Sequence, residues 1–464
     1  MRREVTALPR MTGSQWTSTI AALAAVATVI ATRDPALRVV AVSGAGIVAF
    51  ATRSLPEAAT ALFIFLGFLA IDAAPQSVVF SGFASSGFWL LVGGLVIGSA
   101  ITASGLGDQI ARLIFACTGT SYARAVLFLS VGGLALGAFV PSAIPRVIVM
   151  MPITQALAHR MMLPAGSRSR TGLLMTAAMM TLVPTYAFLT ANLPTIVEVG
   201  IIEILYGVQF GYGSYFVQNL PINALRFAVL LVLLLDYGRG QTVAPSPKSG
   251  DDAPARWTTG QRRLSVVLAV AVVLWATDSL HGIAPAWITV AAALVLLLPT
   301  SKVFAPQAMK TEIDLSIAFL IAAVLCISAV ITHISLGQRI AEVVVPALQL
   351  APGSGFWNLS AITLFTSALS HLTIAPATPV VVAPLAQAMS DATGWSVTAV
   401  AMAQNIGMST IALPYQSPPL LIGIAIAAIP VGPLTRLCLV SAVITTALGL
   451  PLTWVWWTWL TLIP

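Results

Sequence analysis

Ser104-Gly-Leu-Gly-Asp-Gln-Ile-Ala-Arg-Leu113 is answered in the later half of the chain by Ile334-Ser-Leu-Gly-Gln-Arg-Ile-Ala-Glu-Val343. Each segment leads into a long apolar stretch that proline interrupts halfway. Two further pairs keep the same order: Pro152-Ile-Thr-Gln-Ala-Leu157 with Pro384-Leu-Ala-Gln-Ala-Met389, and Pro184 with Pro414. Ordered matches at nearly constant spacing mark an internal repeat, and everything else in the chain is arranged around it.

The solvent for that repeat is lipid. A chain of 464 residues with 58% hydrophobic and 8% charged residues cannot cover a water-facing surface. Apolar runs of about 20 residues cross a hydrocarbon core of roughly 30 Å, and they are too long and unbroken for barrel strands. Runs at 16–32, 36–52, 57–72, 86–103, 171–192, 216–236, 263–278, 283–299, 315–333, 396–412 and 433–450 give about eleven crossings. The first is expected to be a retained helix, since no small-residue cleavage site follows it. Two interrupted stretches, 122–160 and 355–390, read either as two crossings each or as re-entrant hairpins.

Charge favours hairpins. With each stretch leaving on the side it entered, Arg53, Arg112, Arg124, Arg160, Arg168, Arg170, Arg239, Arg262, Arg263 and Lys302 share one side with most other basic residues. Arg33, Arg38 and Arg339, with Arg226 near them, take the other side. The basic side is the cytoplasmic one, so the N-terminus is expected inside and the C-terminus outside a plasma (inner) membrane. The net charge of +7 is therefore a topology signal and not a nucleic-acid surface. Cys117, Cys326 and Cys438 stand singly in apolar segments and read as packing residues.

The polar, Pro- and Ser-rich interval at 239–262 separates the halves. The expected organisation is 1–35 as an N-terminal region with the first helix, 36–238 as the first repeat and 263–464 as the second. About five crossings per repeat is an odd number, so the second repeat enters the membrane upside down. The expected fold class is an all-α polytopic membrane protein with two re-entrant hairpins in an inverted repeat, an architecture of secondary transporters.

In such an architecture the ligand sits where hairpin tips and broken helices present unpaired backbone groups. The tips are Val140–Arg146, broken at Pro141 and Pro145, and Ser370–Pro379, broken at Pro376 and Pro379. The facing breaks carry Pro184, and Pro414 with Pro418 and Pro419. Candidate substrate contacts are Ser142, Arg146, Thr190, Asn192, Thr373, Thr378, Gln416 and Ser417. Each hydroxyl or amide there serves equally well as a cap for broken backbone. Arg146 pairs with an anionic substrate, supplies a fixed positive charge in place of a bound cation, or snorkels to the surface. His371, Asn405 and Ser409 are candidates for ion coupling, His371 because imidazole changes charge near neutral pH. Trp454-Val-Trp-Trp-Thr-Trp459 reads as an aromatic belt.

Asp278-Ser-Leu-His-Gly-Ile-Ala-Pro-Ala-Trp287, Ser370-His-Leu-Thr-Ile-Ala-Pro-Ala-Thr378 and Ala412-Leu-Pro-Tyr-Gln-Ser-Pro-Pro419 carry a family likeness. With these segments the chain resembles the divalent anion/sodium symporters of the ion-transporter superfamily over nearly its whole length. The resemblance implies a scaffold domain that dimerises, a mobile transport domain with elevator-type movement, and a dicarboxylate, tricarboxylate or sulfate as cargo. The family's Ser-Asn-Thr signature at each tip corresponds here to Ser142-Ala-Ile144 and Ile374-Ala-Pro376, so both asparagines are absent. Sodium coupling, proton coupling and exchange all stay open, as does any metal site. No convergent carboxylates, His-Glu-x-x-His or nucleophile–base pair is present, which speaks against an enzyme with a catalytic cofactor. A channel is the alternative within transport. The expected partners are a small anion, the lipid bilayer and a second copy of the chain.

Overall fold

The computed structural model describes residues 13–52, 54–106, 109, 121–140, 143–239, 257–304, 315–372 and 375–464, and these contain helices and no strands. The helices of five residues or more begin with α1 (Gly13–Ala31), α2 (Pro35–Thr52), α3 (Glu57–Ala70) and α4 (Ser86–Ser104). The first interrupted stretch forms α5 (Tyr122–Phe139) and α6 (Ala143–Arg160). The next span is split into α7 (Arg168–Met180) and α8 (Leu193–Tyr206), and α9 (Tyr212–Tyr237) closes the first half.

The second half repeats the order. It runs through α10 (Thr259–Ala276), α11 (Pro285–Leu297), α12 (Ser316–His333) and an amphipathic α13 (Leu336–Ala347). The second interrupted stretch forms α14 (Gly355–Leu372), α15 (Thr378–Val382) and α16 (Ala386–Thr393). The split span follows as α17 (Val397–Met408) and α18 (Pro418–Ala427), and α19 (Val431–Trp459) ends the chain. Six helices among the described residues, α4, α5, α9, α10, α12 and α19, are each long and apolar enough to cross a bilayer alone.

Packing is exchanged reciprocally between the halves. α3 lies on α12, and its counterpart α11 lies on α4. α6 lies on α18, and α15 lies on α8. Within each half the first hairpin arm packs on the first part of the broken helix, α5 on α7 and α14 on α17. At Gly407 the approach of α17 to α14 is so close that a Cβ would stand 2.4 Å from the Thr363 carbonyl oxygen. Small residues permit such close contact where lipid supplies little hydrophobic drive.

α9 and α19 pack along one another, and proline explains how they are joined. Pro221 inside α9 has no N–H for the Val217 carbonyl one turn back. Trp456 Nε1 donates to that carbonyl at 2.9 Å, and Trp457 Nε1 donates to the Gln218 carbonyl at 2.9 Å. Trp457 is thus fully buried as an internal donor, and not part of the interfacial belt read from the Trp cluster. An unsatisfied carbonyl in lipid costs several kcal/mol, which is why an indole is spent there.

Candidate functional site

Both split spans are broken by the same local chemistry. α7 stops at Met180, a single turn forms at Pro184–Ala187, and α8 restarts with Pro194 in its first turn. α17 stops at Met408, a turn forms at Pro414–Gln416, and α18 restarts on Pro418 and Pro419. Pro145 and Pro379 likewise fall within the first turns of α6 and α15. These prolines therefore start helices, since the first-turn N–H groups have no intrahelical acceptor to lose. Hydroxyls satisfy the carbonyls at the breaks: Thr185 Oγ1 donates to Leu182 O at 2.6 Å and Thr410 Oγ1 to Ile406 O at 2.8 Å.

Four chain segments meet at one small cavity. Ala143 and Ile144 come from the start of α6, Asn192 and Leu193 from the start of α8, Ser417 and Pro418 from the start of α18. Ala375 and Pro376, at the second hairpin tip, close the cavity with Tyr186 of the first break. Helices of 18, 14 and 10 residues thus aim their N-termini at one point. Each N-terminus carries a partial positive charge and favours an anion. Prolines remove donors at α18, so free N–H groups come from the first turns of α6 and α8.

Arg146 stands one turn into α6 and is 1% exposed. Its Nη2 donates to Ala191 O at 2.9 Å and to Asn192 Oδ1 at 3.0 Å, while Asn192 Nδ2 donates to Thr185 Oγ1 at 3.2 Å. Nε and Nη1 have no hydrogen-bond partner, and the ion pair found among the described residues is Arg239–Asp236. Nη1 lies against α5 at Gly137, where an added Cβ would come within 3.2 Å of it. The guanidinium does not line the cavity itself. It stands behind Asn192, which does, and leaves an uncompensated positive charge beside the converging N-termini.

The second break is self-satisfied. Gln416 Oε1 accepts from Ala412 N at 2.9 Å and Leu413 N at 2.8 Å, and Nε2 donates to Ser370 O at 3.3 Å. The Gln416 carbonyl accepts from Ala375 N at 3.0 Å, tying the break to the hairpin tip. Gln416 therefore has a capping job. Thr190 and Thr378 are buried and do not line the cavity. Pro141, Ser142 and Thr373 lie outside the described residues, as does Cys117.

Two charged residues that the apolar runs did not single out as site groups are buried at the centre. Arg226 of α9 is 2% exposed and crosses to the end of α17. Its Nη1 donates to Ser409 Oγ at 2.9 Å, and its Nη2 donates to Ile406 O and Thr410 Oγ1, both at 3.2 Å. That places a cation on the carbonyl end of a helix, where it offsets the dipole. Glu198 of α8 is also 2% exposed, and its Oε2 accepts from Asn405 Nδ2 at 2.9 Å. Asn405 Nδ2 also meets Thr195 Oγ1 at 3.0 Å. Tyr215 OH lies 3.1 Å from Asn405 Oδ1 and 3.0 Å from Tyr186 O, with one proton to give between them. A lone acid in an apolar run was the signal for Glu198.

Other polar residues are structural. Asp278 accepts from the N–H groups of Tyr212 and Gly213 and so caps α9. His371 Nδ1 meets Ser367 O one turn back, away from the cavity. His281 is half-buried and His333 exposed, and Cys326 and Cys438 are buried free thiols. Among the described residues no three His, Cys, Asp or Glu side chains come together to hold a metal ion.

A second, larger cavity adjoins the first and shares Ile144, Leu193, Pro376 and Pro418 with it. Its walls include Glu57 and Thr60 at the start of α3, Ser99 and Thr102 late in α4, and Ile317 and Leu320 early in α12.

Residues 47–407 match the sequence profile of the family described as "CitMHS: Citrate transporter". A Cupriavidus necator protein described as a membrane protein is 22% identical over 293 residues, 61% of this chain. That alignment spans 57% of the relative's own length. Among solved structures, the Alcanivorax borkumensis YdaH transporter superposes with a TM-score of 0.57 at 16% identity, covering 84% of this chain and 89% of its own. MtrF of Neisseria gonorrhoeae, described within a class of antimetabolite efflux pumps, gives 0.56 at 14% identity with 82% of each chain covered. At such identities these two structures establish a shared fold.

Proposed function

The chain belongs to the CitMHS citrate transporter family, and from that premise we propose that it is a secondary active carrier of a small organic or inorganic anion. Citrate and dicarboxylates are the first candidates, with sulfate next. The observation that carries this reading is the convergence of three helix N-termini on a cavity backed by the unpaired Arg146. In a medium of low dielectric such a charge calls for a counter-charge, and an anion in the cavity supplies one.

The hairpins and broken helices make up the moving unit of an elevator, and α3, α4, α11 and α12 make up its fixed wall. The reciprocal packing of those two sets supports this division. The larger cavity supports an inward-facing state: its walls include Leu55 and Glu57 at the start of α3 and Thr102 and Ala103 at the end of α4, helix ends that the charge pattern assigns to the basic side. The carrier is placed in the inner membrane as a homodimer, with N-terminus inside and C-terminus outside.

The test is counterflow. Purified protein in liposomes loaded with citrate, succinate or sulfate is expected to exchange labelled anion in a saturable way. The same anion is expected to raise the thermal unfolding temperature, since it binds the native state. Ohmic, non-saturating currents would replace the carrier with a channel, and absence of both flux and stabilisation by any anion would end the reading.

A further inference from the structure

Glu198 is the buried acid that neither capping nor ion pairing explains. Asp278 caps α9, and Glu203 accepts from the Ser86 N–H at the start of α4. Glu198 has a single amide donor on Oε2, and its Oε1 has no hydrogen-bond partner. The elements packed on α8 are α4, α12, α15, α17 and the single turns at 81–84 and 383–385. They bring Cys326 and, at the exposed end of α12, His333 as titratable groups. Across the polar cluster lie Tyr186, Tyr215 and Arg226, and both terminal nitrogens of Arg226 are committed to the end of α17 and to Asn223. No salt bridge to the carboxylate is found among the described residues, and the other buried cation, Arg146, is bonded to Ala191 O and Asn192 Oδ1 instead.

A carboxylate so placed costs several kcal/mol to move through the membrane, whereas its neutral acid does not. The cluster also reaches the anion cavity. Glu198 meets Asn405, Asn405 meets Tyr215, and Tyr215 meets the backbone of Tyr186, a residue of the cavity wall. An anion beside Tyr186 and Asn192 would be repelled by ionised Glu198 and tolerated by the neutral form. Proton and anion therefore favour each other, reciprocally.

We propose, on the carrier reading above, that Glu198 is the coupling site and that the ion it takes is a proton. The proton binds Oε1 on one side of the membrane, converting carboxylate to carboxylic acid with no other bond changed. It leaves on the other side when the anion leaves. Asn405, contributed by the opposite half, positions the acid through its bond to Oε2.

Liposomes holding the full chain and an internal pH dye, with citrate or succinate outside, test this. In wild type an outside-acid gradient should drive accumulation and the dye should report protons entering with the anion. Glu198→Gln should lose gradient-driven accumulation and flatten the pH profile of exchange. Saturable exchange with no proton entry in wild type overturns the proposal and leaves the carrier standing, as does accumulation that follows a sodium gradient at fixed pH. Accumulation by Glu198→Gln at the wild-type level overturns it too. If Glu198→Gln does not fold, the wild-type dye record decides alone. Absence of any exchange in wild type removes the carrier reading and this proposal together.

Discussion

In the register set by Pro152 and Pro384, the first half brings Arg146 to the start of α6 where the second half brings Thr378 to the start of α15. The facing breaks diverge in the same sense. Gln416 uses both ends of its amide on the backbone around it, whereas Asn192 shares its oxygen with a guanidinium that keeps two nitrogens unpartnered. One matched pair of segments holds itself together, and the other holds charge in reserve. Buried polar groups are normally satisfied, so the unsatisfied member of the pair is the one built for something outside the chain.

The largest effect on anion binding separating the two regions is expected at Arg146. Arg146→Ala should weaken anion binding roughly tenfold, about 1.4 kcal/mol, as for a buried charge that acts on the anion from behind Asn192 without touching it. Ligand-free protein should be no less stable, because an uncompensated buried charge is removed. Arg146→Lys should restore part of the binding, with the charge kept and the planar fork lost. Thermal unfolding with and without citrate or succinate reads both quantities. Wild-type anion affinity in Arg146→Ala would erase the distinction between the halves.

Gln416→Ala should do the opposite. It strands the Ala412 and Leu413 N–H groups, at about 2–3 kcal/mol in total, and loosens the second tip from its break. The ligand-free unfolding temperature should fall, and the stabilisation added by anion should stay close to that of wild type. A variant that keeps its unfolding temperature and loses the anion would move Gln416 from cap to ligand contact.

Arg226→Met sharpens the contrast between the two buried arginines. Arg226 has partners on both terminal nitrogens, so its loss should cost about 1–2 kcal/mol of stability at a helix C-terminus. Amide exchange should rise locally at the end of α17, from Ile406 to Thr410. Equal rises throughout α17 would mean that Arg226 holds the whole helix and not its cap.

The halves were legible because their signals are local. Proline, hydroxyls and apolar length mark hairpin tips and breaks within a few residues, and Pro184 and Pro414 stand in the turns between α7 and α8 and between α17 and α18. The central polar cluster was not legible, for two reasons. The run at 171–192 ends on the break itself, since α7 has only 13 residues, about 20 Å, and needs α8 to complete the crossing. Glu198 thereby fell between spans. Arg226, read from charge counting as a residue near the outer face, is bonded to Ser409 and Thr410 far along the chain, and no periodicity in α9 announces such a partner. Trp457 was misplaced for a similar reason, because its acceptor, the Gln218 carbonyl, belongs to another helix, next to the Val217 carbonyl that Pro221 leaves free for Trp456.

His371 gives the smallest expected effect and tests whether the second hairpin tip carries the proton. It ends α14, with Nδ1 against the Ser367 carbonyl and its own carbonyl accepting from Tyr415 OH. A histidine there complements the carbonyl end of the helix, a contribution of a few tenths of a kcal/mol. His371→Gln should therefore shift stability by about 0.5 kcal/mol or less. Its pH profile of anion exchange should overlay that of wild type, because His371 does not line the cavity and Glu198 carries the proton. If His371→Gln flattened the profile and Glu198→Gln did not, the proton would belong to the second hairpin tip and not to α8.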